Sequence, residues 1–172
     1  MASEQNPLGL LGIEFTEFAT PELDFMHKVF IDFGFSKLKK HKQKDIVYYK
    51  QNDINFLLNN EKQGFSAQFA KTHGPAISSM GWRVEDANFA FEGAVARGAK
   101  PAADEVKDLP YPAIYGIGDS LIYFIDTFGD DNNIASDFEA LDEPIITQEK
   151  GFIEVDHLTN NVHKHKKPFI CE

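Results

Sequence analysis

The chain has one cysteine, Cys171, in 172 residues. That excludes an intramolecular disulfide and fits a reducing, cytoplasmic compartment. No apolar run reaches the ~18 residues that a membrane-crossing helix needs. Residues 1–12 carry neither a basic region nor a long apolar core, so no signal peptide is expected. Positive charge is scarce: Lys+Arg 17 against Asp+Glu 27 gives −10, which argues against non-specific binding to nucleic acid. No Gly-rich phosphate loop is present, because Gly116-Ile-Gly118 leads into a strand-like run and not a helix. Tryptophan occurs once, whereas phenylalanine occurs sixteen times, which points to a Phe-packed core or interface. With 42% hydrophobic and 26% charged residues, the composition is that of a globular chain. Its length suits one domain, or one domain and a piece of another.

Charge is unevenly placed. Ser36–Lys50 holds six Lys and one Asp. This pattern predicts a solvated edge strand protected against pairing with another sheet. Asp126–Asp156 holds ten acids and one base, Lys150, and reads as a connector or a solvated loop surface.

Periodicity divides the chain into two similar units. Alternation over Leu10–Phe18 predicts a strand. Thr20-Pro21-Glu22 then opens a helix over Pro21–Phe33, with Leu23, Met26, Phe30 and Phe33 on its apolar face and Gly34 at its end. Strands follow at Phe35–His41, Ile46–Gln51 and Ile54–Asn59, the last two joined by an Asn52-Asp53 turn. A short helix near Ser66–Thr72 comes next. The pattern then returns: a strand at Met80–Val84, an N-cap at Asp86, a helix over Ala87–Arg97 closed by Gly98, and a hairpin of Ala113–Ile117 and Leu121–Ile125. Gly12 matches Gly81 (69 apart), Gly34 matches Gly98 (64 apart) and Asp53 matches Asp119 (66 apart). A repeat of this length is a duplicated half-domain. The expected fold is α+β: two βαβββ modules whose curved sheets form a partly open barrel with helices outside.

A third copy begins at Ile153-Glu-Val-Asp-His157-Leu158, which lines up with Ile13-Glu-Phe-Thr-Glu17-Phe18 at an offset of 140. It predicts a strand with Ile153, Val155 and His157 on one face. Pro168 interrupts any helix that would follow.

Paired βαβββ modules with a fresh strand opening a second pair resemble the vicinal-oxygen-chelate superfamily. Asn6 to Ala19, Leu57 to Glu61, His73-Gly-Pro75, Gly116 to Gly129 and Val155-Asp-His157-Leu-Thr-Asn-Asn-Val162 resemble bacterial 4-hydroxyphenylpyruvate dioxygenase. The resemblance covers residues ~6–162. It implies an N-terminal non-catalytic domain, residues 1–148, and the start of a C-terminal catalytic domain, residues 149–172. It implies an Fe(II) enzyme of tyrosine and phenylalanine catabolism. The iron is held by two His and one carboxylate, with positions open for an aromatic 2-oxo acid and O2, and the product is homogentisate. It implies a homo-oligomer. His157 matches the first iron ligand. The second His and the Glu have no counterpart here, and the sequence after Val162 departs from the family as an early stop or a shifted frame would. This chain by itself is therefore expected to bind no iron tightly and to be inactive.

The remaining candidates have plainer readings. His163 and His165 could join His157 in an H-x5-H-x-H set, but a polar tail is the simpler expectation. Within residues 1–150 the superfamily's metal positions fall near Glu17, Asp86 and Tyr123, a poor ligand set for iron(II). His27 is expected to be solvated, His73 to cap a helix end, and His41 to sit among lysines. Cys171 lacks the fixed electropositive pocket of a reactive thiol. Two rival readings stay open: a small stand-alone metal-dependent glyoxalase- or resistance-type protein, and a non-enzymatic association domain built on the Phe content and the strand Phe152–Leu158.

Overall fold

A computed structural model describes residues 2–129 and 134–159. The first module comprises β1 (Leu10–Ala19), α1 (Leu23–Asp32), β2 (Ser36–His41), β3 (Ile46–Gln51) and β4 (Ile54–Asn59). Helix α2 (Gly64–His73) leads to the second module: β5 (Ala76–Val84), α3 (Ala87–Ala96), β6 (Ala113–Tyr115) and β7 (Leu121–Ile125). A last strand, β8 (Phe138–Ile145), follows. All eight strands lie in one sheet, in the order β6-β7-β5-β1-β4-β3-β2-β8.

The duplication is visible in the pairing. Each module's first strand runs parallel to its last, β1 with β4 and β5 with β7. The two first strands meet antiparallel at the seam, with Glu17 opposite Ser79 and Phe15 opposite Gly81. The helix ends are also alike. Gly34 (φ +86) donates to Ile31 O and Phe35 to Phe30 O; Gly98 (φ +99) donates to Val95 O and Ala99 to Ala94 O. Only glycine adopts that left-handed turn without a steric cost. The second module is shorter by a strand. At the matching place it has an isolated bridge from Pro101 to Ile114, since proline has no N–H to extend a ladder.

Alternation assigns side chains to two faces. Tyr49, Phe56 and Leu58 face outward and pack with Phe30 of α1; Met80, Ile122 and Phe124 face outward and pack with Ala90 and Ala94 of α3. The opposite face gathers Phe15, Tyr48, Leu57, Leu121, Tyr123 and Ile125 into one cluster. A flat sheet would hold β3 and β7 far apart, so their shared cluster shows the sheet curling into a partly open barrel. The fold is α+β, of the paired βαβββ kind. Full burial of a Phe such as Phe15 contributes about 2–3 kcal/mol.

Five local expectations need correction. Helix α1 starts two residues after Pro21, because Thr20 Oγ1 accepts from Glu22 N at 2.9 Å and makes a tight turn there instead of capping the helix. Phe33 is 53% exposed, not part of the core face. The lysine strand β2 is no edge: β3 pairs with it on one side and β8 on the other. Strand β8 comes from the acidic stretch read as a connector, and its Glu139 meets Lys40 at 3.3 Å. Opposite charges across the ladder replace the repulsion that each stretch carries alone. Finally, residues 152–159 form no strand. There the β3–β4 turn, in place of a neighbouring strand, donates to the carbonyls of Phe152 and Ile153.

Candidate functional site

The barrel interior is apolar in the middle and polar at both ends. At one end β1 carries Glu17, 2% exposed, on the same face as Phe15. Asn59 Nδ2 donates to Glu17 Oε1 at 2.5 Å, and Ser66 of α2 donates to the same oxygen at 3.2 Å. Ser79 Oγ, from the partner strand across the seam, donates to Oε2. Burial pushes the Glu17 carboxyl above the ordinary range, and the hydrogen bonds from Ser79 and Asn59 oppose that shift. Tyr123 lies in the same interior. Its hydroxyl accepts from Asp108 N at 2.9 Å, and burial raises its pKa too.

At the other end Arg83 of β5 donates from Nε to Glu14 Oε2 at 2.6 Å and through both Nη atoms to Asp53 at 2.7 and 2.9 Å. Beside it, the Tyr48 hydroxyl donates to Asn55 Oδ1 at 2.7 Å. Burial raises the Glu14 carboxyl, whereas the hydrogen bond from Arg83 lowers the more exposed Asp53. The guanidinium lowers both partners, but at Glu14, which is shut away from water, burial outweighs it and the net shift is upward. The sequence reading missed this network. The signal was an Arg at an inward-facing position of a strand whose alternate residues are buried.

The candidate metal positions do not converge. Glu17 and Tyr123 share the interior, but the Glu17 oxygens are engaged by Asn59, Ser66 and Ser79. Asp86 caps α3 by accepting from Phe89 N at 2.8 Å. His157 is 74% exposed and its one polar partner shown is its neighbour Asp156, with Nδ1 at 2.7 Å from Oδ2. Among the described residues no three His, Cys, Asp or Glu side chains group as a metal site. His163, His165 and Cys171 lie outside the described residues.

The other histidines are structural. His27, expected to be solvated, is half-buried with Nδ1 2.8 Å from the Tyr49 hydroxyl. The His41 Nδ1 accepts from the backbone of Gln43 and Lys44, both at 3.1 Å. His73 ends α2 with its ring 4.3 Å from that of Phe69. A polar cleft of about 570 Å³ lies beside His41, where Lys44 is paired with Asp108 at 2.6 Å. An apolar groove of about 330 Å³ runs along α1 between Phe18, Met26, Phe35, Phe56 and Phe152. No helix among the described residues is long and apolar enough to cross a membrane.

Paired βαβββ modules curled around one interior define a glyoxalase-type α+β protein. The family model described as "Hydroxyphenylpyruvate dioxygenase, HPPD, N-terminal" matches residues 4–139, and the chain belongs to that family. It is 98% identical over 165 residues to Protein MelA of Shewanella colwelliana, covering 95% of this chain and 48% of that protein. It is 37% identical over 171 residues to the 4-hydroxyphenylpyruvate dioxygenase of Pseudomonas sp. (strain P.J. 874), covering 96% and 47%. A solved xylose isomerase-like TIM barrel/4-hydroxyphenylpyruvate dioxygenase fusion protein matches with a TM-score of 0.75 at 27% identity, covering 86% of this chain and 24% of that one. The chain spans about half the length of the curated relatives it matches.

Proposed function

We propose that residues 1–148 are the non-catalytic scaffold half of a cytoplasmic 4-hydroxyphenylpyruvate dioxygenase, and that residues 149–172 belong to its catalytic half. The enzyme converts 4-hydroxyphenylpyruvate and O2 to homogentisate and CO2, in tyrosine and phenylalanine catabolism. His157 is the first of three iron(II) ligands in that reading. The observation that carries this is the closed interior. At the position matching His157 in the internal repeat stands Glu17, whose two oxygens already accept from Asn59, Ser66 and Ser79. The same observation disfavours a stand-alone metal-dependent glyoxalase on this half, since metal affinity comes from convergent free ligands.

The test is to supply the purified chain with iron(II), ascorbate and 4-hydroxyphenylpyruvate and to follow oxygen uptake and homogentisate. The expected result is neither, with no stoichiometric iron retained on a desalting column. Iron-dependent homogentisate formation overturns the reading. Self-association belongs to the same proposal. Phe25 on α1 and Phe33 at its C-terminal end, 59% and 53% exposed, favour it. Light scattering that finds a monomer over a wide concentration range removes that part.

A further inference from the structure

We propose that residues 147–155 are a latch, that the turn Gln51-Asn52-Asp53 is its keeper, and that the Arg83–Asp53 ion pair couples the latch to the seam between the modules. The latch crosses the end of β2, the end of α1 and the β3–β4 turn. Thr147 N donates to Ser36 Oγ at 3.1 Å, and Lys150 N to Gln51 Oε1 at 2.6 Å. Asn52 Nδ2 donates to Phe152 O at 2.7 Å, and Asp53 N to Ile153 O at 2.9 Å. The Phe152 ring stacks on Phe33 at 6.1 Å and 29° between planes. Gly34 has no side chain where the latch passes; a Cβ there would stand 2.8 Å from Gln148 O.

These contacts fix a register. Successive bonds tie residues 147, 150, 152 and 153 to one donor or acceptor each, so a slip by one residue breaks them together. A linker that merely drapes over a surface has no reason to match three consecutive side chains and amides of a turn. The keeper is itself held from behind. Gln51 Nε2 donates to Phe33 O at 2.9 Å. Asp53 receives both Nη atoms of Arg83, whose Nε holds Glu14 of β1. Strain or loosening at the β1–β5 seam therefore reaches the latch through one side chain. Beyond the last bond, Val155 packs with the aromatic cluster of the first module and Leu158 with the largely aliphatic cluster of the second. The latch thus fixes where Asp156 and His157 leave the surface. That consequence rests on the reading of His157 as a ligand; the latch does not.

Hydrogen exchange read by mass spectrometry on the whole chain tests it without iron or substrate. The amides of Thr147 and Lys150, which donate in the latch, are expected to exchange at least tenfold more slowly than in a free peptide of residues 147–155. Phe152→Ala is expected to bring them within about threefold of the free peptide. Arg83→Lys keeps the charge and loses the two-pronged bond, and is expected to speed latch exchange at least threefold while β4 and β7 stay protected. Should Arg83→Lys lose protection throughout, Asp53→Asn reads the same coupling. Free-peptide rates in the unaltered chain overturn the latch. Unchanged latch exchange in a folded Arg83 or Asp53 variant overturns the coupling. Neither result bears on the iron-ligand reading, which the homogentisate assay decides separately.

Discussion

Asn59 holds Glu17 from the adjacent strand β4, Nδ2 to Oε1 at 2.5 Å, with both side chains buried. The carboxyl gains its proton more readily in the folded chain than in the unfolded one, because burial dominates its shift and Asp108 adds like charge. The sign follows from linkage. A folded pKa above the unfolded 4.5 gives stability that is full below 4.5 and is lost as pH rises through the folded value. Glu17→Gln removes that loss and keeps an acceptor for Asn59. Urea denaturation is expected to show the variant gaining on the parent as pH rises from 4.5 to 8. Parallel profiles would sink this. Glu17→Ala strands three donors and is expected to cost about 3 kcal/mol at either pH.

Gly81 lies beneath a ring. A Cβ added there would stand 2.3 Å from Phe15 Cε1 and 3.2 Å from Ile125. Phe15 cannot swing aside, being 1% exposed and packed against Tyr123 at 6.1 Å between ring centroids. Gly81→Ala is expected to destabilise by about 2–3 kcal/mol through overpacking. A denaturation midpoint equal to the parent's would show that the seam is looser than described.

What could be read from the sequence was what is written locally. Asp86 announces α3 because the residue it caps, Phe89, is three positions away. Gly34 and Gly98 close α1 and α3 for a reason contained in one residue each. The pairing of β8 could not be read that way. Glu139, Asp142, Glu143 and Pro144 are poor strand formers, and the lysines that accept them lie about a hundred positions earlier. Residues 153–158 failed in the opposite sense. Their alternation is that of a strand, yet the described chain offers them a turn and two apolar clusters. At the site, Glu17 and His157 were found by repeat arithmetic. Their separation was not, because offset says nothing of which hydrogen bonds will claim a side chain.

Among the described residues Arg83 is the cation bonded to Glu14, whose side chain is 3% exposed. Arg83→Met leaves that carboxylate buried without its partner. The expected cost near neutral pH is about 3 kcal/mol, as for other buried pairs broken on one side. Asp53 behaves conventionally: its folded pKa is held below 3.8 by Arg83, so its contribution is full above 3.8 and is lost as pH falls through the folded value. The gap between variant and parent should therefore narrow in strong acid. A gap that is constant down to pH 3 in urea titrations would show that Glu14 and Asp53 do not depend on this guanidinium.

His27 and His41 resist protonation for one shared reason, burial, with Lys37 adding repulsion at His27. Both folded values lie below the ordinary 6.5. For a base shifted down, the stability it lends is full above 6.5 and is lost as pH falls through the folded value. This runs against Glu17, whose contribution grows in acid, so the two residue types should partly cancel between pH 4 and 6.5. Proton NMR titration of the imidazole Hε1 signals is expected to place both midpoints under 6.5. Lys37→Gln should raise the His27 midpoint and leave that of His41 in place, since the two rings differ in which lysine they face. A His27 midpoint at or above 6.5 would mean that the hydrogen bond to Tyr49 is open to water, and with it the outer side of α1.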